Sequence, residues 1–133
     1  MTFLPEDDLD FLKLKEIPYQ LKIEGDRRGI IFPEFEFTGN LAALNGTELA
    51  RRNTCQLLVL IPSGYAATKL DSFYTQPFLK RADGANPNCA TELQPHFGES
   101  WQFWSRHLND GEWRAADGLH TFMQYIRAEL AKA

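Results

Sequence analysis

Trp101-Gln102-Phe103-Trp104-Ser105-Arg106-His107-Leu108-Asn109-Asp110-Gly111-Glu112-Trp113 leads directly into an amphipathic helix. All three tryptophans of the chain fall within these thirteen residues, alongside a serine, an arginine and a histidine. Large aromatic rings dominate burial where they pack, so the stretch is expected to be pinned to the core or to mark a partner surface. A hydroxyl, a guanidinium and an imidazole between those rings are not what core-building requires. In the helix that follows, Leu119, Phe122, Met123, Ile126 and Leu130 keep the spacing of a single buried stripe. Asp117 is placed to cap it.

Upstream, residues 77–100 are polar, rich in turn formers and weak in periodicity, with Gly84, Pro87, Pro95 and Gly98 among them. They read as one long loop, and a loop of that length in a small domain is usually functional or mobile. Before it, Ser72–Thr75 reads as a short strand. Cys55–Ile61 is the strongest strand in the chain, apolar almost without interruption, so both of its faces are expected to be covered. Pro62-Ser63-Gly64-Tyr65 ends it. The segment 38–53 is compatible with a short helix or an irregular strand, because Leu41, Leu44 and Leu49 are interspersed with Gly39, Asn40, Asn45 and Gly46.

Nearer the N-terminus, Ile30-Ile31-Phe32 with Phe35 and Phe37 reads as a strand. Tyr19, Leu21 and Ile23 alternate with polar residues as a second, and Gly25–Gly29 is the turn between them, so the pair predicts an antiparallel hairpin. Pro5–Lys15 predicts a first helix, with Pro5 and the acidic Glu6, Asp7 and Asp8 suited to its positive end. The order is helix, about four strands, long loop, helix. It predicts a single α+β domain over residues 1–133, with a four-stranded antiparallel meander sheet backed by helices.

Composition narrows the function classes. The chain has 133 residues, 44% of them hydrophobic, and a net charge of −4. The charge argues against nucleic acid and against an anionic membrane surface as the main partner. Cys55 and Cys89 form neither a disulfide framework nor a zinc pattern, and Cys55 is expected to be a buried thiol. There is no phosphate loop, no nucleophile elbow and no His-x-x-x-His pair, so no metal or cofactor is expected. No apolar run approaches the length of a spanning helix and the acidic start is unlike a signal peptide. A cytoplasmic protein is expected.

The order of elements resembles the ubiquitin-conjugating enzyme (UBC) fold: an N-terminal helix, a four-stranded antiparallel meander sheet, a long active-site loop and a C-terminal helix. Pro62-Ser63-Gly64-Tyr65 is similar to the family's Pro-x-x-Tyr-Pro stretch. Phe73-Tyr74 sits where the fourth strand belongs, and Trp113 precedes the last helix like the family's Trp-Ser-Pro turn. In typical members a cysteine precedes that tryptophan by eight positions, and here Ser105 holds the slot. The Leu79–Gly84 and Trp101–His107 stretches resemble most closely the bacterial branch called prokaryotic family E.

There are departures from the typical pattern. Ala66-Ala67-Thr68 replaces the prolines after the tyrosine. Asn86-Pro87-Asn88 is a distant echo of the family's His-Pro-Asn. The first helix is acidic where eukaryotic members are basic.

The resemblance implies an acyl carrier in a bacterial ubiquitin-like modification pathway, of the kind associated with antiviral defence. It implies as partners an activating-enzyme homologue, a ubiquitin-like protein and a JAB-type metallopeptidase. Related bacterial pathways use serine through oxygen esters. A non-catalytic adaptor of the same fold that binds a ubiquitin-like domain is the other implied role.

Ser105 is then the candidate nucleophile, and its bland alternative is a hydroxyl bonded to nearby backbone. A serine needs a positioned base, and His107 is the nearest titratable residue, although an i, i+2 pair does not face together on a helix. The alternative for His107 is an exposed histidine or one that anchors the loop. Arg106 is a candidate for steadying an oxyanion or gripping a modifier tail, and a solvated arginine is its alternative. Cys89 is the rival nucleophile. His96 is a weaker base candidate and His120 is expected on the surface of the last helix. Asp83 and Asn88 are candidates for orienting or polarising the acyl group from the long loop, and turn formation explains both without function.

Overall fold

The computed structural model describes residues 3–107 and 112–133. The first helix, α1 (Glu6–Leu14), is followed by β1 (Gln20–Glu24), β2 (Arg27–Glu36), β3 (Leu41–Asn45), β4 (Glu48–Arg51), β5 (Thr54–Leu60), β6 (Phe73–Gln76), β7 (Lys80–Arg81), β8 (Glu92–His96) and β9 (Glu99–Trp104), then by the second helix, α2 (Leu119–Lys132). A six-stranded antiparallel sheet has the order β1-β2-β5-β6-β9-β8, and a three-stranded sheet has the order β4-β3-β7. The fold class is α+β, as expected. Among the described residues, no helix is long and apolar enough to cross a membrane.

The main sheet has six strands rather than four. The four expected strands lie side by side in it. Of the extra two, β8 lies inside the region read as one long loop and β9 begins at its end and runs on through Trp104: Glu92–His96 pairs with Glu99–Trp104, and β9 then pairs with β6 through Phe73↔Trp104, Tyr74↔Phe103 and Thr75↔Gln102. The ambiguous segment 38–53 is a hairpin, with Asn45↔Glu48 flanking a tight turn at Gly46, where φ is +69°.

Both faces of the central strands are covered. On one face Ile30, Phe32, Leu57, Val59, Phe73 and Trp104 pack with the buried stripe of α2 and Leu12 of α1. On the other, Ile31, Leu58, Tyr74 and Trp101 form a second cluster. The sheet itself helps to close that second face by curling. Phe97, in the β8–β9 turn, folds over Gly29 in β2, where an added Cβ would come within 2.8 Å of its ring. Arg27 Nη1 also reaches the Pro95 carbonyl at 3.5 Å. A side chain at position 29 would make the Phe97 ring shift.

A buried carboxamide holds the segment between β7 and β8 to the sheet. Gln102 Oε1 accepts from Thr75 Oγ1 at 2.9 Å and from Leu79 N–H at 2.7 Å. Its Nε2 donates to the Leu79 carbonyl at 2.9 Å and to the Ala90 carbonyl at 2.8 Å. Thr75 Oγ1 in turn accepts from Trp104 Nε1 at 2.8 Å.

The start of α2 is capped across the molecule, not by Asp117 as expected. Asp8 of α1, 3% exposed, accepts from Leu119 N–H at 3.2 Å and from the Tyr65 hydroxyl at 2.5 Å. A carboxylate there meets the positive end of the helix dipole. Asp117 instead accepts from Arg114 N–H at 2.7 Å.

Replacing Gln102 by leucine strands four buried polar partners at once. Gln102→Leu is expected to destabilise the fold by about 3 kcal/mol or more, against about 1–2 kcal/mol for Thr75→Val. Urea denaturation of the two variants measures the difference, and equal midpoints would contradict the network's role.

Candidate functional site

The chain leaves the main sheet at Trp104. That ring is fully buried and stacks on Phe73 with centroids 5.6 Å apart. Ser105, Arg106 and His107 follow outside any helix or strand. The i, i+2 objection to pairing Ser105 with His107 applies to helices and has no force here. In extended backbone, alternate side chains share a face. Trp104 and Arg106 share one, with the guanidinium 5.2 Å from the indole centre. If the alternation continues past the strand, Ser105 and His107 take the other face.

Ser105 is half-buried. Its N–H donates to the Cys89 carbonyl at 3.0 Å, so the two candidate nucleophiles, far apart in sequence, are neighbours. Cys89 has a positive φ of 53° and an exposed thiol, with Sγ 3.7 Å from Asn88 Oδ1. Cys55 is buried as expected, and desolvation pushes its thiol up to about 12.

His107 is exposed, and its Nδ1 lies 2.9 Å from Asp71 Oδ2. This carboxylate was not foreseen from sequence. It arrives through register: with Phe73 opposite Trp104, the two residues before β6 lie against the residues after β9. Ser72 arrives the same way and bonds the Arg106 main chain. Only a correct β6–β9 pairing would have shown either one, and Trp101–Trp104 does not read as a strand in the sequence.

Arg106 is not the solvated or tail-gripping arginine of the sequence reading. Its guanidinium is 13% exposed, ion-paired to Glu129 of α2 at 2.7 Å and bonded to the Ser105 carbonyl at 3.0 Å. Glu129 also receives Lys132 Nζ at 2.5 Å.

Trp113 is half-buried against Tyr65, and its Nε1 donates to the Ala66 carbonyl at 2.8 Å. Burial and the hydrogen bond to Asp8 hold the Tyr65 phenol well above its ordinary range. Residues 108–111, between His107 and this anchor, lie outside the described residues.

The weaker candidates sit elsewhere. His96 is buried edge-on to Tyr74 at 4.6 Å, and burial lowers its pKa. His120 is half-buried and meets Phe11 of α1 at 5.8 Å. Asp83 pairs with Arg81 and accepts from Ala85 N–H in a local turn. A groove of about 820 Å³ on the sheet face away from α2 has Asp71 and Ser72 among its lining residues, Leu60, Tyr74 and Phe103 as apolar lining, and Arg27 and Arg28 from the start of β2.

The two thiols are expected to differ sharply toward an alkylating reagent at pH 8, because only the thiolate reacts and burial suppresses it. Mass spectrometry should find one adduct per native chain, on Cys89, and a second only after denaturation. Native labelling of Cys55 would contradict its burial.

The comparisons with known proteins agree with this architecture. A family model described as Prokaryotic E2 family E matches residues 4–133. No curated protein and no solved structure matches the chain. With a match over nearly the whole sequence, the chain belongs to Prokaryotic E2 family E, a bacterial conjugating-enzyme-like family.

Proposed function

We propose that this protein is the acyl carrier of a bacterial ubiquitin-like modification pathway, and that it accepts the modifier's C-terminal carboxyl as an oxygen ester on Ser105. The observation that carries the reading is the His107–Asp71 pair, two residues along the chain from that serine after the end of β9. With Nδ1–H donated to the Asp71 carboxylate, the imidazole keeps its Nε2 lone pair free to act as a base. The serine Oγ then attacks the carbonyl carbon of the activated modifier. The new C–O bond forms as the bond to the leaving group breaks, and the Oγ proton passes by way of His107 to that leaving group. Asp71 steadies the imidazolium in between, the role an orienting carboxylate has in serine hydrolases. The groove that ends at Asp71 and Ser72 supplies a place for the modifier's extended tail. The partners on this reading are an activating-enzyme homologue and a ubiquitin-like protein, with a JAB-type metallopeptidase as the reversing enzyme and antiviral defence as the setting.

A second reading has one observation in its favour. The Ser105 N–H to Cys89 carbonyl bond joins the backbone of Ser105 to that of a residue with an exposed thiol, and a thioester on Cys89 would need no general base.

Incubation with activating enzyme, ATP and modifier tests both. An ester on Ser105 is expected to resist thiols, to yield to hydroxylamine and to vanish in Ser105→Ala. His107→Gln is expected to slow its formation by about 10²-fold or more, and Asp71→Asn by about tenfold or more. An adduct cleaved by thiols and lost in Cys89→Ser transfers the role to Cys89. Modifier binding without any adduct marks a non-catalytic adaptor.

A further inference from the structure

The reaction above leaves one side chain of the site segment unused. Arg106 makes three contacts through its guanidinium: Nε with Glu129 Oε1 at 2.7 Å, Nη1 with the Ser105 carbonyl at 3.0 Å, and the cation over the Trp104 ring at 5.2 Å. Its main chain is bridged by one hydroxyl. Ser72 Oγ donates to the Arg106 carbonyl at 2.9 Å and accepts from its N–H at 3.3 Å. The Arg106 and Glu129 side chains are 13% and 9% exposed, and a charge pair so far out of water persists only where its geometry is good. Attachment of α2 does not need this pair, because Leu119, Phe122, Met123, Ile126 and Leu130 are already buried beneath it. What the pair does fix is the peptide of Ser105, in a segment with no sheet partner of its own beyond Trp104.

We infer that Arg106 is a positioning residue for acyl transfer, anchored by Glu129 and Ser72. It locks the backbone between Ser105 and His107, so that those two side chains share the face opposite α2 and His107 meets Asp71. The inference rests on Ser105 being the acyl acceptor. A lysine cannot replace the fork, because one ammonium has no planar pair of donors to span a carboxylate and a carbonyl. Loss of Arg106 leaves Glu129 still paired to Lys132, so the fold has a way to tolerate Arg106→Met.

The test has two arms, each preceded by a thermal melt. In the first, Ser105→Cys is made together with Cys89→Ala, and alkylation of the new thiol by iodoacetamide is followed from pH 6 to pH 10, with and without Arg106→Met. Loss of the nearby cation and of the shared face is expected to raise the midpoint by about half a pH unit or more. Arg106→Lys is expected to recover less than half of that shift. An unchanged midpoint in folded Arg106→Met, or full recovery by lysine, overturns the inference.

In the second arm, ester formation on Ser105 is timed with activating enzyme, ATP and modifier. Arg106→Met is expected to lower the rate at saturating modifier by about tenfold or more, since small misplacements of a reacting group are costly. Half-saturation should move by less than about threefold, the pattern of a lost transition-state contribution. A rate within about twofold of the parent overturns the inference. If the parent forms no Ser105 ester, the functional reading fails and the inference falls with it; the alkylation arm then reports only on how Arg106 orders the Ser105 backbone. If Arg106→Met does not fold, Ser72→Ala removes the hydroxyl bridge while keeping the ion pair. It must then move both readouts in the same direction, or the inference falls.

Discussion

The carboxamide of Gln102 is buried with both of its polar atoms bonded, and the position of the whole site follows from it. A buried amide left unpaired costs more than its hydrogen bonds yield when made. The segment around Leu79 and Ala90 therefore cannot drift from β9 without stranding that group. One residue before Ala90 is Cys89, whose carbonyl receives the Ser105 N–H. Through Thr75, the same network reaches Trp104 Nε1 and fixes the last residue of β9. A single polar side chain in an apolar core thus sets the register of β9 against β6 and the place of the loop that flanks the site.

That network also explains what could and could not be read from the sequence. The two helices and the strands at 20–24, 27–36, 54–60 and 73–76 show regular apolar spacing, and the apolar run of Leu57, Leu58 and Val59 correctly implied cover on both faces. β9 hid because Gln102, a polar residue, occupies a core position, so Trp101-Gln102-Phe103-Trp104 shows no clean alternation. β8 hid because it is an edge strand, mostly exposed, and carries Pro95, as edge strands often do. In β3, Leu41, Ala42 and Ala43 are all buried in succession, and short alanine-rich runs do not separate helix from strand.

The site was half legible for the same reason. Ser105 and His107 stand out locally. Asp71 and Ser72 reach them only through the β6–β9 register, and Glu129 only through the docking of α2. Both readings of Arg106, toward a substrate or out into solvent, missed its place, because its partner Glu129 lies far off in sequence. In the structure Arg106 faces inward, toward its own scaffold. Asp8 is a parallel case. As one of several acidic residues in α1 it reads as dipole chemistry for its own helix, yet it is buried and caps α2, a hundred residues later in the chain.

The curl of the main sheet has a consequence for size. Phe97 over Gly29 and Arg27 against Pro95 bring the β8–β9 turn onto the start of β2, so this face of the sheet is curled and not flat. What stays open is a trench from Arg27 and Arg28 toward Asp71, comparable in capacity to a small-molecule cavity. A trench of that capacity matches a few residues of extended chain better than a globular body. A ligand that filled it along its length would lie there as a thread.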